Sequence, residues 1–228
     1  MLQEIKAVNL SLPLNLGSVN SYLLKTDNGY FLIDTGYSNS RASLVNMLKT
    51  AGCNRSNLKL IILTHGDFDH VSNAAYLRQD FGVKIAMHSL DSGMVERGDM
   101  FWSRDANRLI KILGRVMSLI PPFRLNKSNR FKPDLLIDDD FSLLDYGLDA
   151  RVLSIPGHSK GSLGVLTAGG DLFCGDLLVN GEKPTLNSII DNYENADASV
   201  KKLQAMKISI VYPGHGNPFP LEALITKR

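Results

Sequence analysis

The stretch THGDFDH, residues 64–70, decides how the remaining sequence is interpreted, because it places four ionisable side chains at the end of an apolar run. The run that leads into it, LKLIILT at 58–64, has the apolar and β-branched composition of a buried strand. Two imidazoles and two carboxylates would be costly to bury together unless a further positive charge compensated the carboxylates. Divalent cations supply that charge, so the stretch indicates a metal site.

Three other segments have the same character, since each is a polar, glycine-containing turn that follows an apolar run. They are PGHS at 156–159, CGD at 174–176 and YPGHG at 212–216. Loops at the ends of rigid elements are where proteins commonly present functional side chains. One such segment alone is most often structural, but four in one chain favour a shared site that includes His158, Asp176 and His215.

Short apolar runs alternate with helical patterns along the chain, which predicts a layered α/β or α+β domain. Strands are predicted at 2–10, 20–26, 29–34, 58–64, 83–88, 135–140, 149–156, 162–169, 171–176 and 208–214. Helices are predicted at 38–52, 72–82 and 194–207, and from Pro218 onward. The pairing of the strands does not follow from these patterns.

The composition is that of an ordinary globular protein, with 228 residues, of which 44% are apolar and 21% charged. We expect a single domain spanning residues 1–228. The 25 basic and 23 acidic residues give a net charge of +2 without a basic stripe, so no nucleic-acid partner is expected. The first residues lack a signal-peptide pattern and no apolar run is long enough to span a membrane. Because Cys53 and Cys174 also lie far apart, we expect a reduced, cytoplasmic protein with no membrane partner.

Residues 91–133 interrupt the alternation and are predicted to form a helical insertion. A helix is predicted from 104 to 120, where Arg104 is one of several basic residues that make the helix positive. The insertion would either cap the site or pack as an ordinary helix, and the second alternative is favoured. Four large apolar side chains would line a pocket or belong to the core: Phe101, Trp102, Met117 and Phe123.

HGDFDH resembles the HxHxDH signature of the metallo-β-lactamase superfamily, and the Gly-His, Gly-Asp and Pro-Gly-His-Gly segments follow in that family's order. FLIDTG at 31–36 and GHSKGSLGVL at 157–166 are similar to further family segments. The resemblance implies an α/β (α+β) fold of four layers, the αβ/βα sandwich, and a metallo-hydrolase of the glyoxalase II-like branch. It also implies a dinuclear metal site along one edge of the two sheets.

Seven ligands around two metal ions are implied by the resemblance. It assigns one ion to His65, Asp67 and His158, the other to Asp69, His70 and His215, and a bridging role to Asp176. Asp34 would either hold the second ring nitrogen of a ligand histidine or form a turn.

Asp67 departs from the family pattern, which has histidine as the second residue of the signature. With a third carboxylate and a bridging hydroxide, the ligands would fully balance two divalent ions and lower the pKa of bound water less. An additional carboxylate also shifts the preference from zinc toward manganese or iron. The flavodiiron branch of the superfamily similarly carries a carboxylate at this position. We therefore expect two metal ions drawn from Zn, Fe and Mn, with iron, manganese or a mixed site favoured.

The function that the resemblance implies is hydrolysis of a small-molecule ester, lactone, thioester or related bond by a metal-bridging hydroxide. Asp69 and Asp176 would be the catalytic carboxylates, with Asp69 orienting the nucleophile and relaying its proton. The alternative is a non-haem diiron protein that reacts with oxygen or nitric oxide or senses them. Metal content and hydrolytic activity would discriminate between the two.

Overall fold

The computed structural model describes residues 1–15, 17–104, 112, 116 and 125–224. Its strands are β1 (Leu2–Ser11), β2 (Ser18–Thr26), β3 (Gly29–Ile33), β4 (Leu58–Ile62), β5 (Lys84–Met87), β6 (Leu135–Leu136), β7 (Ala150–Ser154), β8 (Leu163–Thr167), β9 (Asp171–Gly175), β10 (Leu178–Asn180), β11 (Pro184–Leu186), β12 (Ile210–Pro213) and β13 (Phe219–Pro220). Its α-helices are α1 (Arg41–Thr50), α2 (Phe68–Val71), α3 (Ala74–Phe81), α4 (Ser89–Arg97) and α5 (Tyr193–Gln204).

Two large sheets form the centre of the fold. The first has six strands in the order β1-β2-β3-β4-β5-β6, antiparallel up to β3 and parallel from β3 to β6. The second has five strands in the order β13-β12-β9-β8-β7, in which only β9 and β12 pair in parallel. A two-stranded sheet joins β10 to β11.

The alternation of side chains along the strands creates the layers, because successive residues of a strand point to opposite faces of a sheet. In β4, Leu60 and Ile62 belong to the apolar cluster between the two sheets, together with Val165 and Phe173 of the second sheet. Ile61 of the same strand belongs instead to the cluster that packs under α1 and α3. A third cluster joins the outer face of the second sheet to α5. The predicted four-layer αβ/βα sandwich is therefore confirmed.

Most predicted strands lie within a few residues of the observed ones. One predicted helix is wrong, one observed helix was not predicted, and one predicted helix falls outside the described residues. The helix predicted from Pro218 is wrong: Phe219 pairs with Val211 in β13, and a short 3-10 turn follows at Leu221–Ala223. The insertion 91–133 begins inside α4, which the sequence did not predict. The helix predicted at 104–120 lies almost wholly outside the described residues. Within those residues, no helix has the length and apolar character needed to cross a membrane.

Candidate metal centre

The polar segments of the sequence all follow the carboxyl ends of strands that run in the same direction within their sheet. In the first sheet, Asp34 follows β3 and His65 follows β4, which are parallel neighbours. In the second sheet, His158 follows β7, Asp176 follows β9 and His215 follows β12. The topology therefore gathers side chains from distant parts of the sequence at one edge of the sandwich.

One set of ligand atoms, which we call the second group, comprises Asp69, His70, Asp176 and His215. His70 Nε2 lies 3.2 Å from Asp176 Oδ1 and 3.8 Å from Asp69 Oδ2. His215 Nε2 lies 3.2 Å from Asp176 Oδ2 and 3.4 Å from Asp69 Oδ2. Ligands about 2.1 Å from a tetrahedral ion are separated by about 3.4 Å from one another, so these spacings fit a metal ion.

The first group comprises His65, Asp67 and His158. The carboxylate oxygen Oδ2 of Asp67 lies 3.1 Å from His158 Nε2 and 3.8 Å from His65 Nε2. His65 and His158 also offer ring nitrogens that lie, with a carboxylate oxygen of Asp176, within 4.8 Å of one another. Asp176 thus contacts the second group and lies within metal-ligand spacing of the first, as a bridging carboxylate would.

The other ring nitrogen of each site histidine, Nδ1, is held by a neighbouring oxygen. The contacts are His65 to Thr64 Oγ1 at 2.9 Å, His70 to Asp34 Oδ2 at 2.8 Å, His158 to the Ile189 carbonyl at 2.7 Å and His215 to the Ser18 carbonyl at 2.7 Å. A carbonyl oxygen accepts only, so the rings of His158 and His215 donate through Nδ1. Nε2 is therefore the ring nitrogen that each of these histidines directs to the centre, which is the arrangement of metal-binding histidines.

Unpartnered polar atoms mark the centre as a place for cations. His65 Nε2, His70 Nε2 and Asp176 Oδ1 are buried and have no hydrogen-bond partner. Buried polar atoms are almost always paired in folded proteins, so three at one point need an explanation. Metal ions in the two groups would satisfy all three atoms, and the residues present fit such ions.

The charges of the second group show what holds it together without ions. Burial disfavours a charge on His215, but the nearby Asp176 carboxylate outweighs burial and raises the pKa of His215 to about 10. For His70, too, burial is outweighed by Asp176 and Asp69, and its pKa is raised well above the usual value. The carboxylates thus favour positive charge at both ring nitrogens, and binding of a metal ion there would compete with protons.

Arg104 enters the first group, which the sequence did not predict. Its guanidinium is only 4% exposed, and its Nη2 donates to both carboxylate oxygens of Asp67. Its Nη1 donates to the His158 carbonyl at 2.9 Å and to Asp191 Oδ1 at 3.1 Å. Burial would raise the pKa of Asp67, but Arg104 outweighs burial and holds that pKa well below its usual range. Arg104 was expected only as one of several basic residues of the predicted helix, and its burial against Asp67 was not predicted.

Asp91 in α4 is a second buried charged residue that the sequence did not single out. Its Oδ2 accepts hydrogen bonds from the Gly66 amide at 3.1 Å and from Ser159 Oγ at 2.6 Å, and its Oδ1 accepts from the Gly161 amide at 3.0 Å. It therefore ties the loop after β4 to the loop after β7. Burial raises the pKa of Asp91.

Gly66 lies where the loop after β4 approaches α4. Its φ is not among the positive values, but a Cβ there would lie 2.8 Å from the sulfur of Met94 in α4. The loop can approach α4 because residue 66 has no side chain.

Two β2 residues hold the segment at the end of β12, which carries His215. Asn20 Nδ2 donates to the Gly216 carbonyl at 2.7 Å, and the Tyr22 hydroxyl donates to the Pro213 carbonyl at 2.6 Å.

A cavity of about 290 Å³ opens onto both ligand groups. Asp67, Asp69, His158, Asp176 and His215 form its polar side. The rest of its lining is apolar or aromatic and consists of Leu12, Pro13, Tyr37, Phe68, Met100 and Ile189. The described part of the insertion thus contributes Met100 to the lining, whereas Phe101 and Trp102 are not part of it.

Comparison with known proteins agrees with this architecture. The family model of the metallo-beta-lactamase superfamily matches residues 14–215. The hydroxyacylglutathione hydrolase GloC of Haemophilus influenzae is 29% identical over 166 residues, covering 71% of this chain and 70% of the relative. The "Probable metallo-hydrolase YflN" of Bacillus subtilis is 24% identical over 204 residues, covering 83% of this chain and 76% of the relative.

Solved structures show the same fold. The di-iron-bound form of TTHA1623 superposes with a TM-score of 0.72 at 26% identity and covers 96% of both chains. The B3 metallo-beta-lactamase BLEG-1 superposes with a TM-score of 0.73 at 21% identity, covering 96% of this chain and 95% of its own. At that lower identity, the second comparison shows the fold alone.

The two-sheet sandwich has histidine and aspartate ligand groups at the strand ends, and its named relatives are metallo-hydrolases, so the predicted hydrolase class is confirmed. The chain belongs to the metallo-β-lactamase superfamily.

Proposed function

We propose that the chain hydrolyses a small-molecule ester, thioester or lactone with two metal ions, one in each ligand group and with Asp176 between them. The observation that carries this proposal is the set of buried Nε2 and carboxylate atoms at the centre that lack hydrogen-bond partners. The seven predicted ligands lie close together at this edge of the sandwich, and five of them line the cavity: Asp67, Asp69, His158, Asp176 and His215.

Metal ions in these groups would supply a water of lowered pKa and would polarise the substrate oxygen. The chain's own residues prepare that chemistry. Asp34 holds the ring of His70 through Nδ1, and at the same time its carboxylate accepts from the Thr64 amide at 2.8 Å. Such contacts fix the direction of the ligand nitrogen before any ion binds.

Asp69 is the carboxylate suited to move a proton. Its side chain is 26% exposed, whereas that of Asp176 is 8% exposed, so Asp69 faces the cavity in which a substrate would lie. A carboxylate within hydrogen-bond reach of the attacking water can accept its proton and pass it to the leaving group. Asp176, which contacts His70 and His215 and lies near His65 and His158, would bridge the two groups.

The lining of the cavity points to the substrate class. Beyond the ligand groups it presents apolar and aromatic side chains, and none of the described lining residues is a lysine or arginine. Apolar walls favour an uncharged acyl or alkyl group, because burying a charge there without a partner is costly. We therefore propose a substrate whose acyl or alkyl group is uncharged.

A redox function is the second candidate, and Asp67 is the observation that favours it. Carboxylate-rich sites suit iron and manganese better than zinc. The similar structure TTHA1623 is described in a di-iron-bound form. A diiron centre at the same two groups would react with oxygen or nitric oxide instead of hydrolysing esters.

One experiment separates the two candidates. Protein purified with and without oxygen is analysed for Zn, Fe and Mn, and the same samples are assayed on neutral esters, thioesters and lactones and on S-lactoylglutathione. We expect metal-dependent turnover of neutral substrates with apolar acyl groups, abolished by a chelator and restored by metal. Iron-containing protein that hydrolyses nothing but changes its absorption spectrum on adding oxygen would establish the redox function instead.

The two cysteines are consistent with a reducing, cytoplasmic setting, which we also propose. Cys53 and Cys174 are both free and buried, and they belong to different apolar clusters. Burial raises the pKa of each thiol to about 12, which leaves little reactive thiolate.

A further inference from the structure

The first group differs from an ordinary metal position because it already contains a cation. Arg104 Nη2 contacts both carboxylate oxygens of Asp67 and lies 3.5 Å from His158 Nε2, so it is close to two of the three ligands of that group. A carboxylate oxygen that accepts from a guanidinium has fewer lone pairs to offer a metal ion. A divalent ion in the first group would also be repelled by a buried positive charge nearby, where screening is weaker than in water.

The guanidinium is anchored on its other side. Its Nη1 donates to the His158 carbonyl and to Asp191, and its Nε donates to the Met100 carbonyl at 3.2 Å. A side chain held by several buried hydrogen bonds does not leave its place without cost. Arg104 is thus a built-in occupant of this position and not a surface side chain that happens to reach it.

No comparable cation touches the second group in the part of the chain that the structure describes. There, the contacts of Asp176 are to His70, His215 and the Asn187 amide, whose Nδ2 lies 3.4 Å from Oδ2. Those of Asp69 are to His70 and His215. An ion binding there meets no arginine or lysine among the described residues, whereas an ion in the first group must separate Arg104 from Asp67.

We propose that Arg104 competes with the first-group metal ion for Asp67, so that the two groups load in two unequal steps, the second group first. In the protein with one ion, Arg104 is the cation that neutralises Asp67. The inference deepens the proposed function by explaining how its two ions are acquired. It depends on the ligand groups but not on the substrate.

The test is a titration of metal-free protein with Mn²⁺ that is monitored by calorimetry and by electron paramagnetic resonance. The wild-type protein should bind one Mn²⁺ tightly and a second at least about tenfold more weakly. At one equivalent, its spectrum should be that of a magnetically isolated Mn²⁺. In Arg104→Met the second step should tighten by at least about tenfold, a change of about 1.4 kcal/mol. The exchange-coupled signal of a Mn²⁺ pair should then appear at lower total Mn²⁺.

Arg97→Met is the matched control, since it removes the same charge from the same region without touching the site. Arg97 stacks on the Trp102 ring at 3.7 Å. The control should load Mn²⁺ as the wild-type protein does. If Arg104→Met does not fold, Arg104→Lys replaces it, because an ammonium cannot reproduce the forked contacts with Asp67, Asp191 and His158 and should tighten the second step in part.

Two equally tight sites in the wild-type protein would overturn the proposal. So would an unchanged or weakened second step in the Arg104 variants, which would mean that Arg104 orients Asp67 for the metal. Hydrolysis is assayed separately on the same samples. Unequal loading without any ester turnover would support the inference while refuting the proposed function, and turnover with two equally tight ions would do the reverse.

Discussion

The two ligand groups lie side by side at one edge of the sandwich, yet their buried carboxylates have different positively charged partners. In the second group, Asp176 is accompanied by the imidazoles of His70 and His215. In the first group, Asp67 is accompanied by the guanidinium of Arg104. The second group relies on charges that protons or metal ions can exchange, whereas the first contains a charge that is permanent at any pH at which the protein is folded.

The difference shows that a ligand substitution is not an isolated change. Asp67 stands where the family signature has histidine, and the extra carboxylate is matched by an arginine 37 positions further along the chain. A buried carboxylate requires a partner, and the partner that neutralises it also lowers its availability to a metal. The four predictions below test how far the two groups are independent.

The largest effect is expected from Asp176→Ala, because Asp176 contacts the histidines of the second group and lies within metal-ligand spacing of those of the first. Loss of a shared ligand should remove metal from both groups and lower kcat/KM about a thousandfold, roughly 4 kcal/mol of transition-state stabilisation. Metal analysis measures the metal content, kinetics give kcat/KM, and circular dichroism shows whether the variant is folded. Asp138→Ala, which removes an exposed aspartate, is the control and should retain metal and activity. Unchanged turnover in a folded Asp176→Ala protein would refute the assignment.

A smaller effect is expected on the stability of the metal-free protein, and it should differ between the first and the second group. Asp67→Asn leaves the Arg104 guanidinium buried beside a neutral amide, which should lower the free energy of unfolding by about 3 kcal/mol or more. Asp69→Asn removes a more exposed carboxylate that contacts histidines only, and should cost less than about 1 kcal/mol. Urea denaturation of both variants in a chelator gives the two values. Equal losses would show that Arg104 does not depend on Asp67.

Asp91→Asn tests whether Asp91 keeps the loop after β4, which carries His65, next to the loop after β7, which carries His158. The carboxylate accepts from the Gly66 and Gly161 amides and from the Ser159 hydroxyl, and an amide can place only one acceptor among these three donors. We expect a loss of about 2 kcal/mol in unfolding free energy. Weaker Mn²⁺ binding should be confined to the first group, since Gly66 and Ser159 flank His65 and His158. A uniform loss of Mn²⁺ affinity in both groups would contradict this role.

The parts of the molecule that could be predicted from sequence are those determined locally. The apolar strand β4 and the glycine-containing turns at 156–159 and 212–216 depend on neighbouring residues, and both are where the sequence indicated. Arg104 could not be placed, because its partners Asp67 and Asp191 are distant in the chain and only the packed fold brings them together. A third carboxylate in a metal signature is itself the signal that a buried cation should be sought.

Asp91 and the C-terminal segment escaped prediction for similar reasons. An aspartate just after the start of a helix is normally a favourable surface charge near the helix dipole, so Asp91 gave no sign of its buried role. The residues from Pro218 onward have a helical composition. Pairing of Phe219 with Val211 overrides that local preference and extends the second sheet by one short strand.

The smallest effect is expected from Ile189→Ala, which distinguishes the role of the Ile189 carbonyl in holding His158 from the role of its side chain in lining the cavity. The Ile189 carbonyl accepts from His158 Nδ1 at 2.7 Å, while its side chain lines the cavity and is largely exposed. Truncating the side chain retains the carbonyl, so metal content and unfolding free energy should stay the same. Loss of apolar contact should raise KM for an apolar ester about fivefold, roughly 1 kcal/mol, with kcat little changed.

Leu144→Ala is the control for Ile189→Ala, because Leu144 is a similarly exposed apolar residue that does not line the cavity, and it should leave KM unchanged. A fall in kcat together with loss of metal in Ile189→Ala would mean that the side chain supports His158, and the cavity wall could not then be separated from the metal position. A rise in KM alone would place the apolar part of the substrate against the first group. The leaving group or the reacting carbonyl would then face Asp69 and His215, where the more exposed ligands lie.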